Sequence, residues 1–230
     1  MLFLQQKEVF FLEQYIKLLS SSRLFAGISE NDIIPMLKCL KAEKENFSKG
    51  EYIFRSGDKI KSAAFLLSGK AVIQKEDYWG NLSIINVILP GNLFGEAFAV
   101  PDSPDFTGNA IADEKSDVLF MDFSRLMTTC SSACAFHHTA VINMFSVTAE
   151  KNRLLTQKIE HMSQRTTRAK LLSYLSACSV QSASSSFDIP LNRQQLADYL
   201  SVDRSAMSSE LSKMQSDGII EYNKNHFTLK

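Results

Sequence analysis

The 230-residue sequence predicts an α+β protein with an N-terminal β-roll of the jelly-roll (double-stranded β-helix) type, a long helix and a C-terminal winged helix-turn-helix. Short apolar runs separated by glycines fill residues 47–123, and an apolar heptad pattern follows them. The last forty residues contain two short capped helices and a hairpin. We place the roll and its preceding helices at 1–130, the long helix at 131–163 and the winged domain at 164–230.

The composition is that of an ordinary globular protein. Hydrophobic residues make up 45% and charged residues 22%, and 25 Lys+Arg balance 25 Asp+Glu. These values exclude a disordered chain, a collagen-like repeat and a disulfide scaffold. The neutral total also excludes a strongly basic nucleic-acid sponge. It permits a nucleic-acid binder whose basic residues lie in one region, and from residue 165 onward eight Lys/Arg face six Asp/Glu.

The cysteines and the N-terminus indicate a cytoplasmic protein without a metal or another cofactor. Four cysteines form no CxxC pair, so we expect reduced thiols. Cys130 and Cys134 lie one helical turn apart, which leaves a redox pair open beside the simpler interpretation of two buried thiols. Polar residues 5–8 interrupt the apolar N-terminal stretch. It therefore fits neither a signal peptide nor a membrane span, and we expect no membrane contact.

The first domain is predicted to begin with two helices and to continue as short strands. The first helix ends at Ser20–Ser22, and Ser29 caps the second, with Asp32 three positions later. The strand-like runs are 52–54, 64–67, 70–73, 84–88 and 118–120. Trp79-Gly80-Asn81 predicts the turn of a hairpin between Ile73 and Leu82. Many short strands with glycine turns are typical of a closed roll.

The long helix carries a heptad seam, which predicts a homodimer. The seam residues recur at alternating steps of four and three and are Val141, Phe145, Thr148, Asn152, Leu155, Ile159 and Met162. The alternative is a single helix packed against its own domain. A second apolar line is predicted to pack on the roll and consists of Ala140, Met144, Val147 and Leu154.

The C-terminal part of the sequence predicts a winged helix-turn-helix, which we call the reading head. A helix over 169–177 is followed by a mobile loop of small residues over 179–186. Asn192 caps the next short helix, Ser201-Val202 forms a tight turn, and Asp203 caps a helix that runs to about Ser216. Its buried stripe is Met207, Leu211 and Met214. Residues 219–229 form a hairpin, which predicts a wing beside a helix-turn-helix.

These segments resemble the cAMP receptor protein/fumarate–nitrate regulator (CRP/FNR) superfamily of transcription regulators. LNRQQLADYLSVDRSAMSSELSKMQSDGIIEY resembles the DNA-binding signature of that superfamily, and GDKIKSAAFLLSGKA and PGNLFGEAF resemble its roll motifs. The resemblance covers nearly the whole chain. It implies a cyclic-nucleotide-binding-like roll, a homodimer, a palindromic double-stranded DNA operator, an effector in the roll, and RNA polymerase as a candidate partner.

The resemblance also assigns DNA-contacting positions. Arg204 matches the recognition-helix arginine, which suits guanine O6/N7 or a phosphate. Ser205 stands where many members have glutamate, and Ser209 where many have a second arginine, so the operator should differ from the common consensus. The predicted DNA-binding residues are Arg204, Ser205, Ser208, Ser209, Asn192 and Lys224.

The effector is predicted to be a small molecule other than cAMP. PGNLFGEA keeps the opening of the nucleotide-binding cassette, with Glu96 at the ribose position. Phe106-Thr107 stands where the resemblance implies Arg-Ser, and residues 100–109 contain no Lys or Arg. A buried phosphate without its cation costs several kcal/mol. The candidate effector residues are Gly95, Glu96, Ala97, Phe106 and Thr107, and a cyclic-nucleotide-responsive regulator is the alternative.

Other classes fit less well. A metalloenzyme of the cupin type needs histidines on the roll strands, yet no histidine lies between Phe47 and Phe123. We therefore predict no enzymatic activity. Haem remains open through His137 or His138. A protein-interaction adaptor without DNA binding is disfavoured by Arg204 and Lys224.

Overall fold

A computed structural model describes residues 13–127 and 135–230. The chain divides into two compact units. One unit holds the residues up to Lys75 together with Ile88–Glu150, and the other holds Glu76–Val87 together with Lys151–Lys230. Within the described residues, no helix combines the length and the apolar character needed to span a membrane.

The roll consists of two antiparallel four-stranded sheets. Its strands are β1 (Glu43–Phe47), β2 (Tyr52–Phe54), β3 (Ala63–Ser68), β4 (Ala71–Glu76), β5 (Leu82–Ile88), β6 (Leu93–Phe94), β7 (Asn109–Ala112) and β8 (Ser116–Met121). One sheet has the order β1-β8-β3-β6 and the other β2-β7-β4-β5. The predicted runs are confirmed as strands, and the structure adds β1, β6 and β7, whose sequences are too polar or too short to show a pattern.

The sequence of strand β3 is apolar without alternation because both faces of the strand are buried. Ala64 and Leu66 belong to the core between the sheets. Phe65 and Leu67 belong to a second core on the other face, formed with the N-terminal helices and the long helix. A strand buried on both faces has no polar side, so it reads as a continuous apolar run.

Two helices precede the roll, α1 (Ile16–Ser21) and α2 (Glu30–Cys39). The prediction that Ser29 caps α2 is right in position and wrong in bonding. The Ser29 hydroxyl donates to Asp32 Oδ2 at 2.6 Å and accepts no backbone N–H. The acidic first turn of α2, with Glu30 and Asp32, stabilises the helix N-terminus through its dipole instead.

A short helix α3 (Ser124–Met127) follows the roll, and the long helix α4 then runs from Ala135 to Met162. Ala140 and Val147 are buried in the core that α4 shares with the N-terminal helices, as predicted. Leu154, the fourth residue of that predicted line, is 39% exposed. Val141 packs partly against that core, so it sits at the edge of the predicted seam.

The predicted loop over 179–186 is wrong for its first half. Helix α5 extends over Thr167–Ser182, and only Ala183–Ser185 separate it from strand β9 (Ser186–Asp188). Serine hydroxyls satisfy the carbonyls at this helix end, since Ser182 Oγ donates to Ser179 O at 3.1 Å. Ala183 adopts φ 50°, and its N–H donates to Val180 O, which closes the helix in place of a glycine.

The winged domain follows as predicted. It contains α6 (Arg193–Leu200), α7 (Arg204–Ser216), β10 (Ile220–Asn223) and β11 (His226–Leu229). The three strands form a sheet of order β10-β11-β9. Leu196, Leu200, Met207 and Leu211 are buried with Phe227 in one core, which fixes α7 against α6 and the wing.

Candidate functional site

The N-terminus of α6 is held by a reciprocal capping box. Asn192 Oδ1 accepts from the Gln195 N–H at 3.0 Å, and Gln195 Oε1 accepts from the Asn192 N–H at 3.0 Å. Ser201 ends the helix with φ 50°, and Asp203 Oδ1 then accepts from the Ala206 N–H at 2.7 Å. Hydrogen bonds from Ser205 and Ala206 hold the pKa of Asp203 below its usual range, so this cap is ionised at neutral pH.

Helix α7 presents its predicted DNA-contacting residues to solvent. Arg204, Ser205, Ser208 and Ser209 are all exposed, whereas Met207 on the opposite face is buried. Ser205 Oγ donates to Asp203 Oδ1 at 2.5 Å, and Ser208 Oγ donates to Arg204 O at 2.9 Å. Each of these two hydroxyls thus uses its hydrogen within the helix and keeps its oxygen lone pairs for an external donor.

Several cations of the winged domain hold the fold together. Arg168 binds Glu210 at 2.5 Å and Asp217 at 2.7 Å, and Lys230 binds Glu221 at 2.9 Å. Arg204 and Lys224, by contrast, form no ion pair with another described residue. Both cations that the sequence assigned to DNA are thus accessible to solvent.

One residue that packs against the wing has a role that the sequence did not reveal. Arg193, the first residue of α6, stacks its guanidinium 4.6 Å from the ring centre of Tyr222 and 4.9 Å from that of Phe227. Burial lowers the pKa of Arg193 below its usual range. This arginine ties the wing to the start of α6. Lys224 is exposed at the wing tip with φ 51°.

The candidate effector cassette keeps its turn in the roll. Gly95 has φ 77° and opens a single 3₁₀ turn over Glu96–Phe98. A Cβ at Gly95 would lie 2.8 Å from Phe54 Cε2, so both the backbone conformation and the space require glycine here. Glycine at position 95 thus has a structural cause that is independent of any ligand.

Phe106 lies in an aromatic core where the resemblance implies an arginine. Its side chain is 3% exposed, and its ring centre lies 5.5 Å from that of Phe54 and 5.0 Å from that of Phe98. Its backbone is fixed as well, since Phe106 N–H donates to Asp58 O at 2.9 Å. Thr107 and Asp105 are exposed.

The structure adds a cation that the local sequence lacks. Lys59 Nζ lies 3.7 Å from Asp105 Oδ1 and donates to Ser103 O at 3.2 Å. Only the fold brings this lysine to the loop of residues 100–109.

Two further sets of predicted residues can be placed only in part. His137 is buried and neither of its ring nitrogens has a hydrogen-bond partner among the described residues, whereas His138 is exposed. Cys130 and Cys134 lie outside the described residues.

The comparisons with known proteins agree with this architecture. A cyclic nucleotide-binding domain model matches residues 44–133, and a Crp-like helix-turn-helix domain model matches residues 169–230. The transcriptional activator protein FnrL of Cereibacter sphaeroides is 22% identical over 195 residues, which cover 76% of this chain and 71% of FnrL. The chain belongs to the CRP/FNR family of transcription regulators. As a member of this family it binds DNA through its helix-turn-helix.

Other known proteins match part of the chain or its fold. The cGMP-dependent protein kinase 2 of Homo sapiens is 30% identical over 114 residues, which cover 49% of this chain but only 14% of the kinase. The structure of FixK2 from Bradyrhizobium japonicum superposes with a TM-score of 0.65 and 18% identity, covering 82% of this chain and 92% of FixK2. The structure of the c-di-GMP-responsive regulator CLP of Xanthomonas campestris superposes with a TM-score of 0.69 and 16% identity. The match covers 87% of this chain and 99% of CLP. At these identities the two structures show the CRP/FNR fold alone.

Proposed function

We propose that this CRP/FNR regulator reads double-stranded DNA sequence-specifically, with the N-terminal end of α7 in the major groove. The observation that carries the proposal is the exposed Arg204 at the first position of α7, directly after an ionised cap. A guanidinium there suits bidentate hydrogen bonds to guanine O6 and N7. The weaker contacts to base edges and phosphates come from Ser205, Ser208, Ser209, Asn192 and Lys224.

Replacement of this arginine tests the proposal. We expect Arg204→Ala to weaken specific binding by about 1–3 kcal/mol and to relax the base preference at one position in each half-site. Fluorescence anisotropy with a selected operator and with single-base variants of it measures both effects. Lys213→Ala, which removes an exposed cation from the opposite end of α7, is the matched control and should leave base preference unchanged. Unchanged affinity and preference in Arg204→Ala would refute the assignment.

We further propose a homodimer formed along α4. The apolar seam residues Phe145, Leu155 and Ile159 are 75%, 50% and 67% exposed in the single chain. Exposed apolar side chains in a row along one helix indicate a partner surface. A second copy of the same helix fits the heptad spacing, and Asn152 can fix the register between the two copies. A dimer then presents two α7 helices to a palindromic operator.

The effector is proposed to be a small molecule other than cAMP. The aromatic packing of Phe106 supports this, because a ring that is 3% exposed occupies the place of the phosphate-binding arginine. We propose that the effector, whose contacts include the cassette of Gly95, Glu96 and Ala97, alters the pairing of the two α4 helices. The spacing of the reading heads would then match half-sites about 34 Å apart. RNA polymerase is the partner through which such a regulator would act, in the cytoplasm.

A cyclic-nucleotide-responsive regulator is the second candidate. Two observations favour it, namely the match of residues 44–133 to the cyclic nucleotide-binding domain and the position of Lys59 beside Asp105. A thermal-shift series with cAMP, cGMP and c-di-GMP separates the candidates. We expect no shift from cAMP, and a saturable shift of several degrees with cAMP would establish the second candidate. The metalloenzyme interpretation gains no support from the comparisons.

A further inference from the structure

The hairpin of residues 76–87 packs with the winged domain although it continues strands β4 and β5 of the roll. It forms one compact unit with Lys151–Lys230. Val87, near its base, packs against the core that contains Leu196 and Met207. The hairpin and the winged domain therefore pack together.

Lys158 of α4 holds the base of this hairpin. Its ammonium donates to the backbone oxygens of Ile84 and, at 3.2 Å, of Ile85. The same ammonium lies 4.5 Å from the ring centre of Tyr199 in α6. One side chain thus connects the hairpin with the first helix of the helix-turn-helix.

The tip of the hairpin has a hydrogen-bonded turn, but its side chains are exposed, with Tyr78 at 95% and Trp79 at 81%. Asp77 Oδ1 accepts from the N–H groups of Trp79 and Asn81, each at 2.9 Å, and this fixes the turn. Between the tip and the winged domain lies an open cleft of about 610 Å³. Its walls are Gly80, Asn81, Leu82 and Ser83 on one side, and Gln194, Ala197, Asp198, Ser201, Val202 and Asp203 on the other.

This cleft lies at the edge that a DNA duplex must approach. Ser201–Asp203 immediately precede Arg204, and Gln194 and Asp198 lie on α6. In a helix-turn-helix the first helix crosses the sugar–phosphate backbone while the start of the second helix enters the major groove. The hairpin tip faces both elements across the cleft.

The charges show that the hairpin is no DNA contact itself. Residues 76–87 contain two carboxylates, Glu76 and Asp77, and no Lys or Arg. Across the cleft, Asp198 and Asp203 add two more negative charges. Phosphates would be repelled by this hairpin, and the like charges weaken its docking at the tip.

We propose that the hairpin of residues 76–87 is a detachable cover over the DNA-facing edge of the helix-turn-helix, and that the chain binds a duplex tightly only when this cover is released. The inference rests on the proposed reading of DNA by α7. Lys158 and Val87 hold the docked form at its base, and the acidic tip opens first.

Charge substitutions at Ser83 test the cover in the full-length chain. Ser83→Asp adds a carboxylate to a cleft that already holds Asp198 and Asp203, and Ser83→Lys adds a cation that attracts them. Ser56→Asp and Ser56→Lys make the same changes at an exposed site of the roll and serve as controls. Lys158→Glu is a second way to release the base, since it sets a carboxylate against two carbonyl oxygens.

Two measurements are made on each variant. Amide hydrogen exchange of residues 82–87 and 193–203 reports docking without DNA. Anisotropy with a labelled 30-base-pair duplex of arbitrary sequence reports binding. We expect Ser83→Asp and Lys158→Glu to raise exchange and to raise duplex affinity about threefold, and Ser83→Lys to lower both. Simple attraction between charges and DNA predicts the reverse order of affinities.

Three results would overturn the proposal. Unchanged exchange in Ser83→Asp and Lys158→Glu would show that the contact is not what holds the hairpin. Altered exchange with tighter binding by Ser83→Lys would show a hairpin that faces the DNA. Altered exchange with no duplex binding by any variant, wild type included, would locate the failure in the proposed DNA reading and would remove the cover's function with it.

Discussion

The roll and the helix-turn-helix differ at the positions where the family resemblance implies a contact with a ligand or with DNA. In the roll, Phe106 is buried among Phe54 and Phe98, and its backbone is hydrogen-bonded to Asp58. In α7, Arg204 is exposed and has no ion-pair partner among the described residues. Both positions belong to segments that match family models. The match therefore reports the fold in both places and an accessible contact residue in only one.

The difference shows that the chemistry of single side chains decides what a shared fold does. A turn such as Gly95–Phe98 persists because the packing against Phe54 requires glycine. An arginine buried at the position of Phe106 would need an anionic ligand, since burial of an unpaired charge is costly. The reading head needs no such compensation, because its contact residues stay in water until DNA arrives.

The buried ring of Phe106 should contribute strongly to the stability of the roll. We expect Phe106→Ala to lower the free energy of unfolding by about 3–5 kcal/mol, because a buried ring leaves a cavity among other rings. Thr107→Ala, at the exposed neighbour, should change it by about 0.5 kcal/mol or less. Chemical denaturation measures both. A loss below about 1 kcal/mol for Phe106→Ala would mean that the position is open to a ligand.

The long helix α4 has one face buried against the N-terminal helices and another face exposed to solvent. We expect Phe145→Asp to raise the dimer dissociation constant about a hundredfold, because it replaces an apolar seam side chain with a charge. Ser146→Asp, the exposed neighbour off the seam, is the matched control. Analytical ultracentrifugation over a concentration series decides. Equal dissociation constants for the two variants would place the dimer contact elsewhere.

The affinity of the chain for a DNA duplex should depend on pH through Lys158. Burial lowers the pKa of Lys158 from 10.5 to about 8. The docked form therefore loses this proton more readily than a form with Lys158 in water, and rising pH favours docking. We expect duplex affinity to fall between pH 7 and pH 9, by at most about tenfold, with solvent screening reducing that.

Burial shifts the pKa values of four neighbouring groups away from this window. Burial lowers the pKa of His161 and raises the pKa of Tyr174, Cys178 and Tyr199. Lys158→Met, which has no proton to lose, should flatten the profile of affinity against pH. An equally steep profile in Lys158→Met would assign the dependence to another group.

The smallest expected effect concerns the scaffold of the reading head. We expect Asn192→Ala to destabilise the winged domain by about 1 kcal/mol, because the Gln195 N–H loses its acceptor. Asn192→Asp retains an acceptor and should preserve most of that stability. Thermal unfolding followed by circular dichroism separates the two variants. Equal losses would show that the capping bond contributes nothing.

Periodic and capped segments could be predicted from the sequence. Five strands of the roll, the buried stripe of α7 and the cap at Asn192 follow local patterns, and each is confirmed. The extension of α5 through Ser182 could not be predicted, because serine-rich segments usually form loops and the stabilising hydroxyl–carbonyl bonds arise only in the folded chain.

Contacts between residues far apart in the sequence could not be predicted either. Lys59 reaches the loop of Asp105 only through the fold, and Arg193 finds Tyr222 and Phe227 only once the wing has formed. The same holds for the hairpin of residues 76–87, whose sequence indicates a turn and gives no sign of its contact with the winged domain. Tertiary contacts of single side chains carry no periodic signal.

Selection from a random duplex library with the full-length chain decides whether α7 reads DNA bases in a symmetric pair. We predict enrichment of a two-fold symmetric motif whose half-sites lie about one helical turn apart, 10–10.5 base pairs from centre to centre, each with a guanine whose preference disappears in Arg204→Ala. A library without enrichment, or a motif that Arg204→Ala leaves unchanged, would contradict the account.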